Sequence, residues 1–483
     1  MKRLLICTLL FLSAAALAQM PGERVIEEAL KPSPLGENLR KLTDEVGGRV
    51  PGTPAFDGAI AWAREAFKAA GADSVTTEEF TMPQGWEEGA TSLDVTAPTR
   101  FHARAISIAW SSPLAKTRAR VVDIGRGTPG DFAKAGDVSG TVVLVHSGVL
   151  KTWEDLFAEY LEAPAIIDQA AKAKAAAIAF TATREHDILY RHINTFSGKV
   201  FGIPQVLIAR EDAERIARLL AAGKQVEVDL SLPNRVLPPI HTSNVIAELR
   251  GSERPNEFVI LGAHLDSWNL GTGALDNGCN AALVVDALRA IKASGVKPRR
   301  SIRFVLFSGE EQGTFGSWDY AKRHRAELDN MAGVVIFDTG IGEVTGFSVG
   351  GRKDIATELA RAMRPLERFG ATQLTADAFV GTDNYDFLIE GVPNFVANQK
   401  EDNYLVNYHA TSDTFDKVDL ERLKRHVAIA AYLTTALAHS REKFSRQSRP
   451  EIEQLMRETH LDDQMKALRL WDEWENGSRG RQK

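Results

Sequence analysis

Cysteine is nearly absent from this chain, with two among 483 residues. Cys7 lies in an apolar stretch at the start, so Cys279 is the one thiol left in the body, and a single thiol closes no intrachain disulfide. Basic residues are not in excess either. Lys+Arg number 58 against 64 Asp+Glu, a net charge of −6, which excludes the concentrated positive face that nucleic-acid binding requires. Beyond the start of the chain, no apolar run approaches the roughly 20 residues that span a bilayer. Internal repeats and low-complexity tracts are missing, which removes solenoids and disordered chains. There is no H-E-x-x-H, no Walker A loop, no dinucleotide glycine fingerprint at the right place and no G-x-S-x-G, so the commonest zincin, phosphate-loop, nicotinamide and serine-hydrolase chemistries are out.

The composition that remains is ordinary for a globular protein, at 44% hydrophobic and 25% charged residues. A chain of this length sustains a core without disulfides. Lys2 and Arg3 precede an apolar run from Leu4 to Leu12, and small residues lead to Ala16-Leu17-Ala18. That pattern predicts a signal peptide over 1–18 and a secreted or periplasmic protein. Residues 19–114 carry a helical period over 55–70 and a strand pattern over 75–80. A self-contained α+β module is expected over 115–235, with strands near 119–124, 140–146, 177–180, 204–209 and 225–230 and helices over 166–176 and 211–222. From 236 to 445, strands alternate with helices, which predicts a largely parallel sheet covered by helices. The charged tail 446–483 places Ile452, Leu455, Met456, Met465, Leu468 and Trp471 at helix-like spacing. This predicts an amphipathic helix packed on the body or on a partner subunit.

Acidic and histidine residues sit where this alternation puts strand ends, the edge at which parallel sheets gather functional groups. His264-Leu265-Asp266 closes an apolar strand. Residues two apart on a strand share a face, so Asp266 is placed to reach His264 and fix its tautomer. Asp276 follows Gly273-Ala274-Leu275 just before a helix, as a helix cap or as a ligand. Glu310 and Glu311 end another apolar strand, and adjacent carboxylates repel unless a cation lies between them. Asp338 ends a third strand, and His409 sits in the polar loop Tyr408-His409-Ala410-Thr411-Ser412-Asp413. Singly these are caps, turn residues or solvated imidazoles. Together they point to a metal centre, and mixed imidazole and carboxylate donors suit zinc, with manganese or cobalt as further candidates. Cys279 has no base beside it and reads as a small packed residue.

This order of residues resembles the M28 family of co-catalytic zinc exopeptidases over about 240–440, together with the part before 115. The module at 115–235 resembles a protease-associated domain inserted between those parts. The resemblance implies an α/β fold, a mostly parallel mixed sheet flanked by helices with the α+β module inserted. It implies two Zn2+ per subunit, one held by His264 and Asp338 and the other by Glu311 and His409, with Asp276 bridging. Glu310 would be the general base and Asp266 the support for His264. Tyr404 or Tyr408 would donate to the oxyanion, and Asp383 would be placed to read a free amine. The substrate would be a dipeptide or short peptide, and the protein a homodimer. Two other readings keep the fold: a mono-zinc acyltransferase of the glutaminyl-cyclase kind, and a receptor-like ectodomain without catalysis. Cys279-Asn280 departs from the small residues usual in the family, and the tail beyond 445 is outside its pattern.

Overall fold

The computed structural model describes residues 21–482, so the signal peptide expected over 1–18 lies outside the described residues. The alternation after residue 240 becomes an eight-stranded mixed sheet. Its order is Ser74–Met82, Ile240–Leu249, Arg300–Phe307, Arg254–His264, Met331–Ile336, Asn394–Gln399, Val344–Ser348, Gln373–Thr375. The four strands in the middle run parallel. Antiparallel pairs flank them on both sides.

Arg254–His264 takes the centre because it is apolar on both faces, and Phe258 to His264 are all buried. Alternate residues serve opposite layers. Val259, Leu261 and Ala263 pack in one core with the helices Cys279–Ala293 and Leu420–His439. Phe258 and Ile260 meet Tyr320 and Phe387 in the other. The parallel register sets His264 opposite Phe307 and Gly262 opposite Ile336. The residues just past these three strands therefore emerge along one edge.

The inserted module is a second eight-stranded sheet with its own two cores. This sheet takes in strands from Ser92 onward, ahead of the module start expected at 115. Ser92–Ala97, Phe101–Ala103 and Ala105–Ser107 pair with Glu227–Leu232, with Ser92–Ala97 and with Gln205–Ile208, respectively. These strands are short, and their module partners lie mostly far along the chain, so no local apolar run announces them.

The tail is three short helices rather than one: Arg449–Thr459, Leu461–Ala467 and Trp471–Glu475. The breaks fall where His460 and Arg469 take left-handed backbone, at φ 58° and 62°. All three pack on the body. Ile452, Met456, Met465 and Trp474 share a core with Tyr385 and Ile389.

Two histidines are buried away from the strand ends. His426 lies on the helix Leu420–His439 beside Phe337, and His192 packs on Tyr160 with ring centroids 4.4 Å apart. Burial lowers His192 to about 4 and His426 to about 3, from an ordinary 6.5. The unfolded chain therefore takes up these protons below pH 6.5, while the folded chain resists until about 4 and 3. Stability from both groups is complete above the unfolded value and falls as pH drops through that window. Urea unfolding at pH 7 and pH 5 should show a lower midpoint at the acid pH, and His426→Gln should reduce the difference between the two midpoints.

Candidate metal centre

His264 is the last residue of its strand, Asp338 follows Met331–Ile336 by two, and Glu310 and Glu311 follow Arg300–Phe307 across Ser308-Gly309. Gly309 takes φ 75° and turns the chain there. Asp276 sits in the wound segment Ala274–Gly278 that runs into Cys279–Ala293, and its side chain caps no helix.

The structure brings the five sequence-derived ligand candidates together. Nε2 of His264 lies 2.9 Å from Asp338 Oδ1 and 3.1 Å from Asp276 Oδ1. Nε2 of His409 lies 2.8 Å from Glu311 Oε2 and 3.3 Å from Asp276 Oδ2. Asp276 thus gives one oxygen to each imidazole. Two groups result, His264–Asp276–Asp338 and Asp276–Glu311–His409, and within each the donor atoms lie within 4.8 Å of one another. All of these residues are buried.

The opposite ring nitrogens face backbone carbonyls, which only accept. His264 Nδ1–H donates to the carbonyl of Asp266 at 3.0 Å, and His409 Nδ1–H to that of Arg191 at 3.0 Å. Each Nε2 lone pair is thereby left for a cation. Asp266 acts differently from expectation. Its carboxylate is 3.8 Å from His264 Nδ1. It accepts instead from the backbone N–H groups of Gly309, Glu310 and Glu311 at 2.9, 3.3 and 3.3 Å. The strand ends at His264, so the alternation that would place Asp266 beside the imidazole does not continue.

Two supporting residues escaped the sequence reading. Arg49, fully buried, donates to the carbonyls of Leu265, Thr272 and Gly273 at 2.5, 2.9 and 2.9 Å. Asp413 accepts from the N–H groups of Leu275 and Asp276 at 2.6 and 3.2 Å. The signal for Arg49 was the Gly47-Gly48 pair before it. A Cβ on Gly48 would come 2.5 Å from the Cα of Asn269, so that turn tolerates no side chain.

Carboxylates outnumber cations here, and proton affinities shift accordingly. Burial, reinforced by Asp276, pushes Glu311 up to about 7. Burial with Asp276 and Asp266 nearby pushes Asp338 to about 6. Burial also carries Glu310 well above the usual carboxylate range. At His409, burial acts downward but Glu311 and Asp276 overcome it, raising the imidazole to about 9. Arg49 is lowered to about 10 by burial, against the pull of Asp413 and Asp266. Two imidazole Nε2 atoms and three carboxylates, short of positive charge, fit divalent cations that accept mixed N and O donors, zinc foremost.

A cavity of about 390 Å³ opens over these groups. Tyr404 and Tyr408 both line it. The Tyr408 ring stacks on His409 at 3.6 Å, and its hydroxyl lies 2.9 Å from that of Tyr160 in the inserted module. Asp383 is fully buried and directly follows Gly381 and Thr382, which line the cavity. Cys279 is buried, with Sγ 3.4 Å from the carbonyl of Leu275.

Residues 244–434 match the profile of peptidase family M28. This chain carries an M28 peptidase domain. Mouse (Mus musculus) carboxypeptidase Q is 28% identical over 418 residues, covering 85% of this chain and 87% of that protein. The human (Homo sapiens) protein of that name is 28% identical over 414 residues, at 85% and 86% coverage. Among solved structures, a peptidase M28 precursor from Shewanella amazonensis SB2B superposes with TM-score 0.78 at 26% identity, covering 88% of this chain and 98% of that one. A zinc aminopeptidase from Bacillus subtilis shares the fold, with TM-score 0.66 at 21% identity and coverage of 88% and 98%. With its M28 domain, the chain is a metallo-exopeptidase, and its fold is the expected mixed α/β sheet flanked by helices.

Arg49→Met should leave the carbonyls of Leu265 and Thr272 without this donor, while that of Gly273 keeps the N–H of Gly278. A loss of about 3 kcal/mol or more in urea unfolding is expected, and a change under about 1 kcal/mol would remove Arg49 as the support of this shell.

Proposed function

We propose that this chain is a two-zinc aminopeptidase for short peptides with a free amino terminus. Asp276 carries the two-metal half of the reading, because its Oδ1 faces His264 and its Oδ2 faces His409. His264 and Asp338 would hold one ion, Glu311 and His409 the other, and Asp276 both. Zinc bound there supplies Lewis acidity.

The chain's own groups do the rest. Glu310 lines the cavity but belongs to neither donor group, so it is free to move a proton. It takes one from the attacking water and returns it to the leaving amine, base first and acid second. Glu311 stays with His409, which accounts for the adjacent glutamates. Asp266 holds Glu310 in place through the backbone N–H groups of its loop. The Tyr408 hydroxyl, 2.9 Å from that of Tyr160, lines the cavity, and when Tyr160 is the donor of that pair the Tyr408 proton is free for the substrate carbonyl oxygen, where charge develops.

The lining of the cavity bears on the terminus that is recognised. It includes Asp377, which belongs to neither donor group, but no Lys or Arg. A terminal carboxylate finds no side-chain cation there, whereas a terminal ammonium finds acceptors. Export rests on the charged, apolar and small residues of 1–18, and a homodimer rests on the family resemblance.

Glu310→Gln should keep both metals by atomic emission and lose about a hundredfold or more in kcat. Turnover near that of the unmodified enzyme would take Glu310 out of the mechanism. His264→Ala and His409→Ala should each bind fewer than two equivalents of zinc. One equivalent in the unmodified protein would favour the cyclase-like reading. On a panel of short peptides supplied free, N-acetylated and C-amidated, acetylation should abolish cleavage and amidation should not. The reverse pattern would make the enzyme a carboxypeptidase, and loss on both a dipeptidase.

A further inference from the structure

The tail beyond residue 445 is not used by the mechanism, yet it reaches the cavity. Gln464 and Leu468 both line it. Gln464 grips the backbone on either side of Phe379: its Oε1 accepts from the N–H of Val380 at 3.1 Å, and its Nε2 donates to the carbonyl of Ala378 at 3.2 Å. Phe379 is thereby fixed with its ring 5.8 Å from that of Phe157, on the module helix Trp153–Lys172. One turn beyond Gln464, Arg469 ties the tail to that same helix, at 2.7 Å from Asp168 Oδ1 and 3.3 Å from the carbonyl of Pro164. At the far end, the buried Arg479 donates to both oxygens of Asp386, at 2.7 and 3.0 Å, and to the carbonyl of Gly313 at 3.3 Å.

The tail is therefore a brace joining three parts: the loop of Phe379, the module helix and the segment that follows Glu311. Phe157, Leu161, Phe196, Phe379 and Leu468 form an apolar stretch of the cavity wall, in which Phe157 packs on Phe379, and Leu161 and Phe196 pack on the core that holds Leu468. None of them has a hydrogen-bonding side chain, so the wall rewards only apolar surface. We infer that the tail is a specificity element, which sets this wall to receive a bulky apolar side chain on the substrate residue beside the scissile bond. The inference rests on the peptidase reading of the site and adds the substrate class. Leu468 acts directly as part of the wall, and Gln464 is a positioning residue acting through Phe379.

The test uses the full-length, zinc-loaded protein with leucyl-glycyl-glycine and glycyl-glycyl-glycine. The unmodified enzyme should prefer the leucyl peptide by at least tenfold in kcat/KM, the scale on which an apolar pocket discriminates. Leu468→Ala should cut the ratio of the two kcat/KM values about tenfold, chiefly through KM of the leucyl peptide. Leu468→Trp, which fills the wall instead of hollowing it, should reverse the preference. Gln464→Ala should lower the ratio, and Gln464→Glu should restore only part of it, because a carboxylate accepts from Val380 but cannot donate to Ala378. Equal losses on both peptides, or an unchanged ratio in both Leu468 variants with unaltered thermal unfolding, would overturn the role of the tail while leaving the peptidase reading intact. No hydrolysis of either peptide by the unmodified enzyme would overturn both.

Discussion

The carboxylate of Asp276, divided between two imidazoles, is the point on which this structure turns. Its two oxygens serve His264 and His409 at 3.1 and 3.3 Å, and those histidines come from opposite ends of the catalytic half. Buried like charges separate unless something holds them. Here the holding is done by backbone. Asp413 fixes the Asp276 segment through two N–H groups. Asp266 fixes the glutamate loop through three. Arg49 gathers carbonyls from either side of the loop between them. Side chains that look as though they should touch a cation spend their hydrogen bonds on the chain that carries the ligands.

The inserted module belongs to this shell. Leu189 and Arg191 pair with the segment around His409: Arg191 N–H donates to the carbonyl of His409 at 2.9 Å, and Thr411 N–H to that of Leu189 at 3.1 Å. The Arg191 carbonyl sets the His409 tautomer. Tyr160 of the same module meets the Tyr408 hydroxyl. One imidazole is thus oriented by its own strand end and the other by a separate fold, so module and centre are one unit in the geometry of the site.

The sequence revealed most where chemistry and periodicity coincide. His264, Glu310, Glu311 and Asp338 end or follow strongly apolar strands, so their shared edge was readable from alternation alone. His409 was readable as a histidine in a polar loop before the final helix, but its role was readable only through the resemblance, since such a loop has no period. Arg49 and Asp413 were not readable as site residues, because a lone arginine after two glycines and an aspartate in a loop have many ordinary uses. Asp266 was read with the right neighbours and the wrong atom, because two-residue alternation applies only while the strand lasts. The first strands of the module's sheet were not readable because they are short and their pairing is mostly distant. The tail helices broke where two non-glycine residues enter left-handed backbone, a conformation that local composition does not announce.

The contacts that complete the centre are also among the longest-range in the chain. Arg49 joins carbonyls 216 to 224 residues away, and His409 is oriented across 218. Closures of that span follow local structure in folding, since their entropy must be met before their contacts form. A chain with its helices and hairpins in place but these spans open has no centre. In a hydrolase of peptides built this way, activity follows tertiary folding and cannot precede it, because the centre exists only once these spans have closed.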